Sequence, residues 1–342
     1  MPRELICTAP MQLEFRDYEE TTLTGNQIRI RSMNSATKHG TEMQSFAGKG
    51  NHRGRFDSEK GIHVGSPGDR SIYPTRVGNM FVGEVIELGP EVSETQVGDN
   101  VVSHGPFRET QTKEEDRCRK LPEGMSWKSA VCIDPAEFAL AAVRDGHVRP
   151  GDFVVTFGMG ALGLMVVQVA RLAGAECIVA VDPLPKRREA AKACGADILF
   201  DPLETDVGLE VRGLTSNRGA DVCIDYSGHR LALQQALRSV ALGGNVVLGA
   251  APGLMDAGLD LGAEAHKNTP NIIFSRACTE PNREYPRWSH KRINDTCFDW
   301  LASGKLDGDC IVDPVVPFES LVEEYPKVVT DMGSNIKLGV QH

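Results

Sequence analysis

Residues 38–42 read Lys-His-Gly-Thr-Glu, so an ammonium, an imidazole, a hydroxyl and a carboxylate crowd around Gly40. A segment that only reverses the chain needs the glycine and one polar neighbour. An imidazole such as that of His39 has a reference pKa of about 6.5 and exchanges protons at neutral pH. With Thr41 and Glu42 beside it, the stretch holds the groups that general acid–base catalysis uses.

A second stretch, VVTFGMGALG, places Gly158, Gly160 and Gly163 in a G-x-G-x-x-G pattern between an apolar strand and a helical run. The first glycine permits a tight turn, the second lets backbone approach a pyrophosphate, and the third lets the helix pack on the strand. Free N–H groups of Ala161 and Leu162 at the helix start, with the helix dipole, would face the diphosphate. Asp182 ends the next apolar strand, where an acid accepts hydrogen bonds from ribose hydroxyls. A carboxylate there repels a 2′-phosphate and favours NAD. Lys186 and Arg187 lie close by and keep NADP open, since a basic side chain serves either ribose or phosphate.

The elements that must position these groups fall into two regions. The chain has 342 residues, enough for two domains. Apolar residues make up 41% and charged residues 25%, a globular composition. The net charge of −10 argues against a nucleic-acid partner, which needs a basic stripe. No apolar run reaches membrane-spanning length and MPRELICTAP has no signal core, so the expectation is a cytoplasmic protein without a membrane partner. Nine scattered cysteines without a Cys-x-x-Cys pair predict neither a disulfide framework nor a four-cysteine zinc lobe.

Up to about residue 35 the chain alternates polar and apolar residues, as antiparallel strands with one wet face do. Residues 47–76 are rich in Gly, Arg, Ser and Asp and read as a long loop of the kind that covers or binds ligands. From about residue 148, apolar strands alternate with helical runs, which predicts a parallel sheet covered on both faces. The tail mixes helix and strand and could rejoin the N-terminal region.

FVGEVIELGPEVSETQVGDNVV, the unit at 151–197, GADVCIDYSG, ALGGNVVLG and WLASGKLD together resemble the medium-chain dehydrogenase/reductase superfamily, which includes alcohol, sorbitol and threonine dehydrogenases. The resemblance spans nearly the whole chain. It implies an α/β fold in two parts: a GroES-like, mainly β catalytic domain from residues 1–147 and 286–342, and a Rossmann, doubly wound parallel sheet domain from 148–285. It also implies a reaction site in the interdomain cleft and assembly as a homodimer or homotetramer.

Zinc-dependent members hold their metal with Cys-Gly-Thr/Ser-Asp, with Gly-His-Glu and with a further ligand or acid near the domain junction. The matching stretches here are His-Gly-Thr-Glu at 39–42, Gly-Asn-Met at 78–80 and Ile-Asp-Pro at 133–135. His39 replaces the cysteine, Asn79 and Met80 replace the His-Glu pair, and Asp134 stands at the junction. Asn and Met are poor zinc ligands; a third ligand would have to come from Glu42, His52, His63 or His104. Of the structural-zinc cysteines only Cys118 remains in its region. The expectation is therefore chemistry without zinc.

The resemblance then assigns Thr41 to the proton-relay hydroxyl and points His39 at the reacting carbon. Glu42 would orient His39 or bind substrate, Asp134 would do either, and Asn79 would bind a hydroxyl or hold its loop. Together with Arg108 or Arg292, this many donors and acceptors favours a polyhydroxylated substrate oxidised at a secondary hydroxyl: a sugar, sugar acid, polyol or cyclitol. Two other readings stand beside it. One is an NADPH-dependent reductase of a carbonyl or enone, which Asp182 counts against. The other is a non-enzymatic dinucleotide-binding sensor, which the retained polar cluster counts against.

Overall fold

Five consecutive buried residues, Phe153–Phe157, form the strand on which the glycine-rich turn is mounted. The computed structural model describes residues 1–38, 40–49, 54–65, 72–251, 255 and 258–342, and Thr41 by its backbone alone. The expected roles of His39, His52 and the Thr41 side chain therefore lie outside the described residues. The chain divides into two compact units, Met1–Glu123 with Val312–His342, and Gly124–Ile311.

The second unit is built on a six-stranded sheet ordered Ile198–Phe200, Cys177–Val181, Phe153–Phe157, Ala220–Asp225, Val240–Leu248, Asn271–Phe274. Every pairing in it is parallel. Parallel strands need both faces covered, which is why these strands read as unbroken apolar runs. On one face Val155, Phe157, Val179 and Val181 pack with Val207 and Val211, and with Leu233 and Leu237 of the following helix. On the other, Gly146 follows helix Ile133–Asp145 so closely that a Cβ there would lie 2.8 Å from Val247 and 3.1 Å from Val222. The strand order reverses between Phe153–Phe157 and Ala220–Asp225, a topology that opens a ligand crevice at the carboxyl ends of those two strands.

The first unit carries a seven-stranded sheet whose centre is Met80–Leu88 beside Gln27–Ala36. The tail does rejoin it: Lys337–Gln341 pairs antiparallel with Gln27–Ala36 and parallel with Val312–Pro317. Leu5, Phe46, Phe107, Phe318, Tyr325 and Leu338 form one core cluster, and Ile28, Ile30, Phe81, Val85 and Val101 another. Each such side chain contributes roughly 1.5–3 kcal/mol on burial.

One sequence expectation meets a different structure. The stretch 47–76, read as loop, contains a hairpin of Arg55–Asp57 with Ile62–Val64 and a short strand, Thr75–Arg76. The Asp57 carboxylate accepts from the Glu59 and Lys60 amides, each at 3.1 Å, and closes that hairpin's turn. The compact units also divide at 123/124 and 311/312, whereas the expected domain limits were 147/148 and 285/286. Residues 124–147 and 286–311 pack within the second unit: the Tyr226 hydroxyl donates to the Phe138 carbonyl at 2.7 Å, Asn245 to the Gly146 carbonyl at 2.9 Å and Gln168 to the Asp307 carbonyl at 2.9 Å, and helix Ile133–Asp145 is tied to helix His290–Ala302. Glu137 accepts from Asn294 and lies 3.3 Å from His290, and Gly308 N donates to Ser129 at 3.0 Å.

The close approach of the two central strands of the first unit is testable at Gly83. A Cβ there would drive into the Arg31 carbonyl oxygen and lie 2.7 Å from Ile30 Cγ2. Gly83→Ala is expected to cost about 1–3 kcal/mol, as overpacking does, and to lower the melting temperature by several degrees. An unchanged melting curve would contradict that strand spacing.

Candidate active site

The nucleotide turn is set by what a side chain would strike. Gly158 has φ 85°, and a Cβ on it would lie 2.7 Å from Ser227 N across the crevice. A Cβ on Gly163 would collide with the Gly158 carbonyl oxygen, so helix Ala161–Leu172 can approach the strand only without one. Gly160 differs: a Cβ there would meet nothing within 4 Å. None of the described residues demands glycine at 160; the space beside its backbone is open among them. The helix has no side-chain cap and no acidic residue in its first turn. Its first amides, Ala161 and Leu162 among them, lack intrahelical acceptors, and they make an anion site with the dipole. These residues fit a dinucleotide pyrophosphate.

Asp182 is 3% exposed, and its carboxylate accepts from Met159 N at 2.7 Å and from Leu184 N at 2.9 Å. The acid thus braces the glycine turn. Each oxygen keeps a second lone pair that a ribose hydroxyl can use. Arg187 Nη1 lies 4.0 Å from this carboxylate; burial lowers the guanidinium's pKa, and Asp182 opposes that. Arg188, not singled out from the sequence, donates to the Asp182 carbonyl at 2.7 Å and pairs with Asp201 at 2.9 Å. Its signal was present in the run Lys186-Arg187-Arg188, but only the fold shows which arginine faces the strand end. At the neighbouring strand end Asp225 accepts from Ser227 N and Oγ at 2.7 and 2.6 Å, and burial raises its carboxyl pKa.

In the first unit, Gly40 with φ 83° starts helix Thr41–Phe46. Glu42 in its first turn accepts from Lys38 N at 3.1 Å, from Gly78 N at 3.0 Å and from the hydroxyl of Tyr325. The fully buried Tyr325 stands edge-on to Phe46 at 5.0 Å. Lys337, 2% exposed, donates to the Thr37 carbonyl at 2.6 Å, and its charge also acts on Glu42. Burial is the largest influence on the Glu42 carboxyl and raises its pKa, against the donors and Lys337. Glu42 therefore fastens the 38–42 loop to the 77–79 segment and to the tail. Tyr325 and Lys337 carried no sequence signal, because each becomes a neighbour only when the tail rejoins this unit.

Asn79 is held by its backbone, N to Ala36 O at 3.0 Å and its carbonyl to Gly105 N at 2.9 Å. Its side-chain Nδ2 is buried with no partner among the described residues, a polar atom with capacity for a ligand. The structure thus brings Glu42 and the Gly78–Asn79 segment together in the first unit. Asp134, 6% exposed in the first turn of helix Ile133–Asp145, belongs to the second unit with the nucleotide turn. His63 stands edge-on to Phe56 at 5.2 Å in the hairpin, and His104 ends the strand Asn100–His104. Arg108 lies 3.2 Å from Glu4 and over Tyr18, and Trp288 is stacked by Arg144 and Arg292 at 3.7 and 4.1 Å. Among the described residues no three His, Cys, Asp or Glu side chains converge as a metal group.

Residues 55–160 match the family model for the alcohol dehydrogenase GroES-like domain, and residues 161–287 match the zinc-binding dehydrogenase model. The chain belongs to the medium-chain, zinc-type alcohol and sorbitol dehydrogenase-like family, and it is an oxidoreductase acting on CH–OH groups. It is similar to D-guloside 3-dehydrogenase of Escherichia coli (strain K12), 42% identical over 347 residues and covering 99% of both chains. It is also similar to (R,R)-butanediol dehydrogenase of Bacillus subtilis (strain 168), 28% identical over 296 residues, covering 78% of this chain and 81% of that one. The crystal structure of 2R,3R-butanediol dehydrogenase from Bacillus subtilis shares the fold, with a TM-score of 0.79, 21% identity and 100% of both chains covered.

The different roles of two glycines can be separated. Gly160→Ala is expected to leave the melting temperature of the free protein within about 2 °C while weakening NADH binding at least about tenfold. Gly163→Ala is expected to destabilise the free protein itself. Equal NADH affinity in Gly160→Ala, measured by fluorescence titration, would remove the pyrophosphate from that position.

Glu42 gives a pH signature. A carboxyl that binds its proton more tightly in the folded chain adds stability that is fully present below the unfolded value of about 4.3. That stability is lost as pH rises through the raised folded value. Glu42→Gln removes this component. Urea unfolding between pH 4 and 7 should therefore show the native protein losing ground to the variant as pH rises. Parallel pH profiles would mean that Glu42 has an ordinary carboxyl.

Proposed function

We propose that the chain is an NAD-dependent dehydrogenase that oxidises a secondary hydroxyl on a sugar or glycoside ring without catalytic zinc. The observation that carries the cofactor half is the open space beside Gly160, above an uncapped helix start and next to Asp182. The full-length similarity to a D-guloside 3-dehydrogenase supports a carbohydrate substrate. So does the Asn79 amide, unpartnered among the described residues, since a buried donor favours a ligand that brings an acceptor.

The nicotinamide supplies the hydride acceptor when bound. Gly158, Gly160, Ala161, Leu162 and Gly163 hold the pyrophosphate, and Asp182 takes the ribose hydroxyls, with Arg187 alongside. As the alcohol carbon gives up its hydride, the hydroxyl proton passes to Thr41, whose own proton passes to His39 and on to solvent. Glu42 positions this loop through its bonds to Lys38, Gly78 and Tyr325. Asn79 binds a substrate oxygen and Asp134 a further hydroxyl.

The metal-free reading rests on the donor set. Asn79 and Met80 stand where relatives place His-Glu, Met80 is buried, and the Glu42 oxygens are engaged by Tyr325 and two backbone amides. Asn79 and Met80 are not among the His, Cys, Asp and Glu that zinc sites use, which supports the metal-free reading.

A panel of hexosides, sugars and polyols, offered with NAD or NADP and followed at the reduced-nicotinamide absorbance, tests the reading. Turnover of a hexoside with NAD is expected. Preference for NADP would overturn the cofactor assignment, and NADH binding without turnover of any member would favour the sensor reading. His39→Ala should lower kcat about 10²–10⁴-fold with NADH affinity unchanged. Undiminished turnover would remove His39 from the mechanism. One zinc per chain, with activity lost on chelation and restored by zinc, would sink the metal-free mechanism.

A further inference from the structure

Two thiols far apart in sequence meet in the second unit. Cys194 caps the C-terminal end of helix Pro185–Ala193, and Cys310 lies two residues before strand Val312–Pro317. Their Sγ atoms are 2.7 Å apart across a sequence separation of 116 residues. A disulfide holds its sulfurs at about 2.05 Å, so bond formation needs less than about 1 Å of approach.

The surroundings fix both partners. Gln168, on helix Ala161–Leu172, accepts from Asp307 N at 2.7 Å and donates to Asp307 O at 2.9 Å. The same Nε2 lies 3.6 Å from Cys194 Sγ and 3.8 Å from Cys310 Sγ. The turn bearing Cys310 is tied down again by Ser129 to Gly308 N at 3.0 Å and by Ser126 to Asp309 at 2.7 Å. Cys194 is buried and Cys310 is partly exposed, so the pair has one reachable sulfur and one sheltered one.

We propose that Cys194 and Cys310 form a reversible thiol–disulfide site that low-molecular-weight disulfides oxidise. The thiolate of Cys310 attacks one sulfur of the small disulfide, forming a mixed disulfide and releasing one thiol. Cys194 then loses its proton to solvent and attacks the Cys310 sulfur, releasing the second thiol. Two protein thiols lose two electrons and two protons, and one small disulfide becomes two thiols. The order follows exposure. It also agrees with the Cys194 thiol being held protonated by its contact with Cys310 and by burial. The bond would fasten the end of the helix that begins beside Asp182 to the turn at 307–310.

The test treats the full-length protein with oxidised glutathione, blocks free thiols with iodoacetamide and maps non-reduced peptides by mass spectrometry. The expected product is a Cys194–Cys310 linked peptide, with titratable thiols in the denatured chain falling from nine to seven. Closing so long a loop should also raise the melting temperature by about 2–5 °C, reversibly with dithiothreitol. Cys194→Ser should instead keep glutathione on Cys310, and Cys310→Ser should show neither the link nor the melting shift. Circular dichroism of both serine variants checks that each is folded. Iodoacetamide on both Cys194 and Cys310 of the treated native protein would overturn the proposal, as would glutathione persisting on Cys310 there.

Discussion

The steric contact between the Gly163 position and the Gly158 carbonyl governs the geometry of the nucleotide turn. Helix Ala161–Leu172 can lie against the strand Phe153–Phe157 only because no Cβ stands between them. That approach leaves the helix amides beside the crevice where the strand order reverses. Gly158 keeps the turn clear of Ser227 on the other side. Asp182 then locks the arrangement, since one carboxylate oxygen holds the turn through Met159 N and the other holds the next helix through Leu184 N. One acid serves fold and site together, and its remaining lone pairs are what a cofactor can use.

The first unit solves a different problem, that of holding a polar loop still against an apolar core. Glu42 is a carboxylate sheltered by burial, which alone would be costly. It is met by Tyr325, two backbone amides and the charge of Lys337. Lys337 in turn satisfies itself on the Thr37 carbonyl. Both Tyr325 and Lys337 arrive with the tail, so the loop at 38–42 takes its shape only when the chain's last strand pairs with Gln27–Ala36. The polar network and the sheet register therefore depend on each other.

How much of this was legible follows the range of the interactions. The glycine turn could be read because its three glycines fall within six residues, between an apolar strand and a helical run. The parallel sheet could be read because double-sided burial writes continuous apolar strands such as Phe153–Phe157. The expected limits at 147/148 and 285/286 differ from those of the compact units because helices Ile133–Asp145 and His290–Ala302 look locally like any amphipathic helix. Their allegiance is decided by contacts between distant segments: Tyr226 with Phe138 and Gln168 with Asp307 hold these segments to the second unit, and Glu137 with Asn294 holds them to each other. The hairpin at Arg55–Val64 hid in polar, glycine-rich sequence because its turn depends on Asp57 rather than on apolar alternation. The Glu42 clamp and the Cys194–Cys310 pair were hidden for the same reason: their partners lie 283 and 116 residues away.

The sequence substitutions around 39–42 and 78–80 acquire a physical meaning once the clamp is seen. In zinc-dependent relatives a metal ties these two segments together through the residues that bind it. On the proposed metal-free reading that tie is still required, because a proton relay works only if its hydroxyl and imidazole are held in place. Glu42 supplies it by bonding to backbone on both segments, at Lys38 N and Gly78 N. Backbone donors of this kind do not compete with substrate for side-chain groups, and the buried Asn79 amide has no partner among the described residues. On that reading the loop exchanges a Lewis acid for hydrogen-bonding capacity, and such capacity discriminates best among substrates rich in hydroxyl groups.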